Sequence, residues 1–320
     1  MRRFLLARAA QSLLVVFIMS FVIYTLIGLM PGDPIDLMIS ADPQMTADDA
    51  ERLRELYGLN LPIYERYWNW LTAALSGDLG YSRLFSHPVL DVLLPALKNS
   101  VLLLSIALLM SVCIAVPIGA LAASRPRSGF DYTVNLIAFA GISVPQFWLA
   151  LMLMILFAVI LGWLPAGGIA AEGSGFIEHA RYIVLPAATL TIASVGGHAR
   201  YVRAAMLEVL RQDYVRTARA KGAGRVRVLW MHALRNAMIP FVTILALDFG
   251  FLFSGALITE TIYAWPGMGK LIFDAIMGND YNLALVALLF ATSLVLTGNL
   301  LADICYAWLD PRIVVGTREK

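Results

Sequence analysis

The sequence predicts an all-α integral membrane protein with six transmembrane helices, and three observations carry the prediction. Sixty per cent of the 320 residues are hydrophobic and only 14% are charged, against about 25% charged in a soluble domain. Six apolar stretches approach or exceed the length a bilayer needs, about 20 residues of helix. Lys and Arg are unevenly shared between alternate connections. With the N-terminus inside, 17 of the 24 fall on the cytoplasmic face. Five of the remaining seven lie in one long loop, where charge orients a protein only weakly. Both termini are therefore expected in the cytoplasm.

The first span is expected over residues 9–30. It follows Met1-Arg-Arg-Phe-Leu, which superficially resembles a twin-arginine export signal. No small-residue cleavage site follows, and the run is long for a signal, so an uncleaved span is expected. Residues 31–98 then form a loop too long for a simple connector, with ten acidic and five basic residues. Thr46 can cap a helix carrying Asp48, Asp49 and Glu51 in its first turn, and Gly58 can stop it. A second helix is expected after Pro62, with Ile63, Tyr67, Leu71, Ala74 and Leu75 on one face and Trp68 and Trp70 nearby. The loop reads as a packed extracytoplasmic cap or a substrate guide, and a docking surface for a soluble protein fits either.

Residues 99–124 carry no charge and make the second span. The third, 132–161, is also uncharged, with Pro145 as a kink or break. A weaker fourth spans 182–198, with Pro186 near its start. The fifth, 236–258, is interrupted by Asp248, and the last runs over 281–302 and ends at Asp303. Cys113 and Cys305 sit in apolar segments without partners at metal-ligand spacing, so buried, inert thiols are expected.

Between the fourth and fifth spans lies a cationic insert. Asp213 is expected to cap a two-turn helix from Tyr214 to Lys221, with Gly222 as its stop and Arg219 and Lys221 near its negative end. Val226, Leu229, Trp230, Ala233, Leu234 and Ala237 then follow a helical period into the fifth span. A rigid short helix can seat in a partner's groove and pass motion into the bundle. Attraction of basic residues to anionic lipid is the rival reading. The caps and the small residues Ala218, Ala220 and Gly222 favour docking, because lipid attraction needs neither.

These residues resemble the cytoplasmic loop of ATP-binding-cassette importer permeases, whose pattern is Glu-Ala-Ala, three residues, then Gly. Arg216-Thr217-Ala218 and Gly222 occupy those places. Arg216 stands where many such permeases have Glu, and Leu234-Arg235 replaces a later Leu-Pro. Both departures are similar to the peptide-importer branch, as is the run from His232 to Ala237. The resemblance covers nearly the whole chain: Leu29-Met-Pro-Gly-Asp-Pro34, Ser143-Val-Pro-Gln-Phe147, Leu164-Pro-Ala-Gly167, Thr259 to Gly269, Asp280-Tyr281 and Leu309-Asp-Pro-Arg312. It is to the B-type subunit of dipeptide and oligopeptide importers, with nickel and glutathione carriers in the same group.

The resemblance implies a type I importer permease in a bacterial inner membrane. Residues 1–96 would hold the first helix and the extracytoplasmic insert, 97–310 the five-span transmembrane domain with its coupling loop 199–236, and 311–320 a cytoplasmic tail. It implies a heterodimer with a second, C-type permease, two ATP-binding subunits, and an extracytoplasmic solute-binding protein. The coupling helix would be Tyr214, Val215, Arg216, Thr217, Ala218, Arg219, Ala220, Lys221 and Gly222. ATP and magnesium would sit on the partner subunits, with no cofactor bound by this chain, no catalytic residues, no metal and no nucleic acid. Ala264-Trp-Pro-Gly-Met-Gly-Lys-Leu271 imitates a phosphate-binding loop, but Ala264 replaces its first Gly and Leu271 its magnesium ligand, so a structured outer loop is expected.

Two carboxylates are candidates for the translocation path. Asp248 lies mid-span, where a charge costs about 2.5–3.5 kcal/mol on insertion scales. It should face a wet cavity or the bundle, where a helix-to-helix hydrogen bond would serve equally. The family usually has an uncharged polar group there. Glu260 lies near a span end. A carboxylate on the path would suit a peptide's terminal amine. An ion-coupled carrier would be expected to show inverted repeats, which are not evident, and a structural scaffold would leave the capped cytoplasmic helix unexplained.

Overall fold

The computed structural model describes residues 2–29, 47–56, 60–171 and 173–309. In chain order the elements are α1 (Arg2–Gly28), α2 (Ala47–Leu56), α3 (Ile63–Leu75), β1 (Tyr81–Ser82), β2 (His87–Pro88), α4 (Val89–Ser124), α5 (Gly129–Ser143) and α6 (Gln146–Met154). They continue as α7 (Phe176–Val209), α8 (Asp213–Ala220), α9 (Arg225–Arg227), α10 (Arg235–Ile262), α11 (Met268–Met277) and α12 (Tyr281–Leu309). A π-helical segment, Ile155–Ile160, extends α6, and a second, Val228–Leu234, joins α9 to α10. Thr46 and Gly58, expected to bound the α2 helix, lie outside the described residues, as do residues 310–320.

Among the described residues, five helices are long and apolar enough to cross a membrane, and α5 with α6 makes a sixth if the pair counts as one broken span. That pair is the break expected at Pro145 in the third span. α5 ends at Ser143, and Pro145 caps α6, which leaves at 96°. Proline has no amide hydrogen and pushes its predecessor out of helical geometry. Pro95, Pro117, Pro186 and Pro240 instead stay inside their helices, as bilayer helices tolerate when neighbours satisfy the freed groups.

α4 and α7 form the most extensive helix pair. Ala107, Ser111, Ala115, Gly119 and Ala123 recur every four residues on α4 and are all buried. A methyl group at Gly119 would lie 2.6 Å from the Ala199 carbonyl oxygen, so the two backbones meet there. Without a hydrophobic drive between helices in lipid, such small-residue seams let packing hold them together. α12 packs along α10 and α1, and Arg8 of α1 bridges to Asp303 at 3.1 Å.

The fourth span is 34 residues, Phe176–Val209, rather than the short stretch expected. Its polar end stays helical because the side chains there find partners. Arg203 forms a two-pronged ion pair with buried Asp131 at the start of α5, with one contact at 2.7 Å. Cys113 also differs from expectation. It is exposed on α4, because an apolar context does not separate a core-facing from a lipid-facing position. The Cys305 side chain lies outside the described ones.

The insert after α1 packs on the bundle through two anchors. Tyr67 of α3 is buried, shares a 2.7 Å hydrogen bond with Ser20, and meets the rings of Phe17, Phe21 and Tyr24 edge-on. Leu75, expected on the same face, is 80% exposed, because the contact with α1 ends before the last turn of α3. The β1–β2 hairpin, paired Tyr81 to Pro88 and Ser82 to His87, is held by Asp280 ahead of α12. The Asp280 carboxylate accepts from Ser82 Oγ at 2.6 Å and the Leu84 amide at 2.9 Å, and caps α12 through the Leu283 amide at 3.2 Å.

Candidate functional site

Three arrangements bear on function, one at each end of the bundle and one at its centre. At the first end stands α8. The helix begins at Asp213, with Gln212 in the capping position, which corrects the expectation that Asp213 caps it. Asp213 is instead the first helical residue, still favourable to the dipole, and pairs with Arg216 at 3.4 Å. At the other end the Ala223 amide donates to the Ala218 carbonyl at 3.1 Å, and the Gly222 amide to the Arg219 carbonyl at 2.9 Å. Gly222 has φ +86. These two bonds with a left-handed residue make a Schellman stop, the geometry for which glycine is suited.

α8 touches the bundle through little of its surface. Val215 is fully buried and Ala218 is half-buried, while Tyr214, Arg216, Thr217, Arg219, Ala220, Lys221 and Gly222 are exposed. The contact is with the π-helical segment Val228–Leu234. Leu229, Ala233 and Ala237 of the predicted apolar face are buried there, but Val226 is 72% and Trp230 38% exposed, and Val228 is buried in their stead. A π-helical turn holds more residues than an α-turn and rotates the apolar face. Although Tyr214 is exposed overall, partial desolvation of its phenol, opposed by a hydrogen bond with Asn236, raises its pKa above the usual value.

At the centre, three spans share a polar chain. Ser111 Oγ lies 2.7 Å from His198 Nδ1, and His198 Nε2 lies 2.7 Å from Asp248 Oδ2. The carboxylate can only accept, so Nε2 carries the hydrogen. Ser111 and His198 are buried, and the ring packs edge-on to Phe241 at 5.7 Å. Asp248 is 38% exposed.

At the second end, Glu260 is fully buried. Its carboxylate accepts from Ser100 Oγ, from the Gly269 amide at 2.7 Å and from the Lys270 amide at 3.2 Å. Ser100 Oγ accepts in turn from the Met268 amide at 2.7 Å. The phosphate-loop look-alike is thus a helix start whose free amides grip a carboxylate of the same chain, as helix N-termini do with anions. A methyl group at Gly267 would lie 2.3 Å from that carboxylate, so the position excludes larger residues. Glu260 has no exposed surface in this conformation.

A family model described as binding-protein-dependent transport system inner membrane component matches residues 115–315, and one for the N-terminal part of such components matches residues 1–93. The chain belongs to this family. It is 38% identical over 316 residues to the oligopeptide transport system permease protein AppB of Bacillus subtilis, covering 98% of this chain and 99% of that one. It is also 38% identical over 313 residues to the di/tripeptide transport system permease protein DppB of Pseudomonas aeruginosa, covering 91% and 92%. A structure of the MetNI methionine ABC transporter, titled as inward facing, matches with TM-score 0.58 and 19% identity over 70% of this chain and 98% of that one. That likeness supports the type I importer fold. The chain is a multi-pass inner-membrane permease.

Of the residues singled out in the sequence, those of α8 form one exposed element, while Asp248 and Glu260 stand apart in separate networks. Ser111 and His198 were missed as partners of Asp248. A serine and a histidine in apolar helices carry no local pattern; only helix packing brings together residues 87 and 50 positions apart.

Proposed function

We propose that this permease forms half of the translocation pathway of an ATP-driven importer of dipeptides or oligopeptides, with α8 as the element an ATP-binding subunit grips. The observation that carries the reading is the form of α8: two turns, a Schellman stop, one buried anchor at Val215, and a cationic outer surface. A lever of this kind transmits rigid-body motion, because Val215 and the π-helical segment join it to α10. A second, C-type permease would complete the path, and an extracytoplasmic binding protein would deliver solute. ATP hydrolysis would occur on two partner subunits, and both termini would be cytoplasmic. Peptide cargo is supported by the AppB and DppB relatives; nickel chelates and glutathione are the alternative cargoes.

Ala218→Glu and Gly222→Asp test the docking. Each is expected to abolish peptide uptake in proteoliposomes and copurification of the ATP-binding subunits, while the permease stays inserted. Undiminished uptake with both variants overturns the docking role.

A further inference from the structure

The Ser111–His198–Asp248 chain lies far from either end of its helices. Ser111 sits roughly twelve residues from each end of the uncharged run 99–124, about 18 Å of helix in both directions. No Lys or Arg occurs between Lys98 and Arg125 on α4, or after Arg235 on α10. On α7 the nearest cations are committed elsewhere: Arg200 lies over the Phe139 ring at 4.0 Å and Arg203 pairs with Asp131. Asp248 therefore has an orienting hydrogen bond from His198 and, among the described residues, no Lys or Arg partner. Its Oδ1 takes no hydrogen bond among them either.

A carboxylate left this way at mid-depth is costly against lipid. Its buried side is braced by two groups that fix its direction, and its free side is open. A carboxylate with one oxygen tied back and one free suits an ammonium group, which brings both charge and hydrogen-bond donors. We propose that Asp248, positioned by His198 and Ser111, is a specificity-determining subsite that receives the ammonium group of the transported solute. This rests on the peptide-import reading, in which every unmodified cargo has a terminal amine.

The experiment uses the complete transporter in proteoliposomes with radiolabelled Ala-Phe and N-acetyl-Ala-Phe. Asp248→Asn keeps an acceptor for His198 but removes the charge. The binding protein's own preference cancels when variant and wild type are compared for each peptide. Uptake of Ala-Phe is expected to fall about tenfold, the scale of one lost charge-assisted bond, with N-acetyl-Ala-Phe unaffected. His198→Ala should lower the same preference, and His198→Gln, which can still donate, should restore part of it. In a background of Cys113→Ser and Cys305→Ser, Asp248→Cys should react with a cationic methanethiosulfonate, and Ala-Phe should slow the reaction. Equal effects on both peptides, no effect on either, or an unreactive Cys at 248 overturns the subsite. Wild type moving neither peptide overturns the peptide reading and the subsite with it.

Discussion

Glu260→Ala and Glu260→Gln should part company in a way the geometry around α11 dictates. α11 follows Gly267, which offers no side-chain cap, and its first amides are satisfied by Glu260 and Ser100 instead. Alanine leaves the buried Gly269 amide and the partly buried Lys270 amide without an acceptor. At about 1–3 kcal/mol for each stranded group, the loss should be about 4 kcal/mol. Glutamine is different. Its carbonyl can face the two amides while its NH2 donates to Ser100 Oγ, whose hydroxyl hydrogen turns away. That exchange should cost about 1 kcal/mol. At roughly 1.5 °C per kcal/mol for a chain of 320 residues, thermal unfolding of the detergent-purified complex should drop by about 6 °C for alanine and about 1.5 °C for glutamine. Wild-type melting of Glu260→Ala would refute the clamp. Glutamine as damaging as alanine would show that the negative charge, not the pattern of acceptors, holds α11.

Tyr67→Phe removes the hydroxyl shared with Ser20 but keeps the ring contacts, so it should cost about 1 kcal/mol and speed limited proteolysis around α3; unchanged cleavage would mean the rings alone hold α3 to α1. Asp131→Asn strands Arg203, whose side chain is 24% exposed. The loss should be about 2 kcal/mol, below the 3–5 kcal/mol of a fully buried pair, read as a lower melting temperature, and Arg203→Met in the same chain should recover part of it.

The break at Pro145 was legible because proline acts locally, and α8 because its stop is written in one glycine at a fixed offset. The capping residue was misplaced by one position, because Asp213 is the better cap by residue type while the backbone is already helical there and leaves Gln212 extended in the capping place. The α-helical period before α10 places Leu229, Ala233 and Ala237 correctly but not Val226 and Trp230, because the backbone from Val228 to Leu234 is π-helical. Nothing local announces that change. The length of α7 escaped a hydropathy reading because His198 and Arg203 look like the end of a span until their partners are known.

Composition and the spacing of apolar runs were enough to determine a membrane bundle and the order of its spans, and a glycine stop to place its short cationic helix, because lipid demands long helices and each helix satisfies its own backbone. Tertiary structure alone decided what the polar residues inside do. Ser111, His198 and Asp248 come from three helices, and Glu260 reaches amides nine and ten residues beyond it across a turn. Their roles depend on which helix faces meet, and a linear pattern of hydrophobicity says that a face is buried without saying against what.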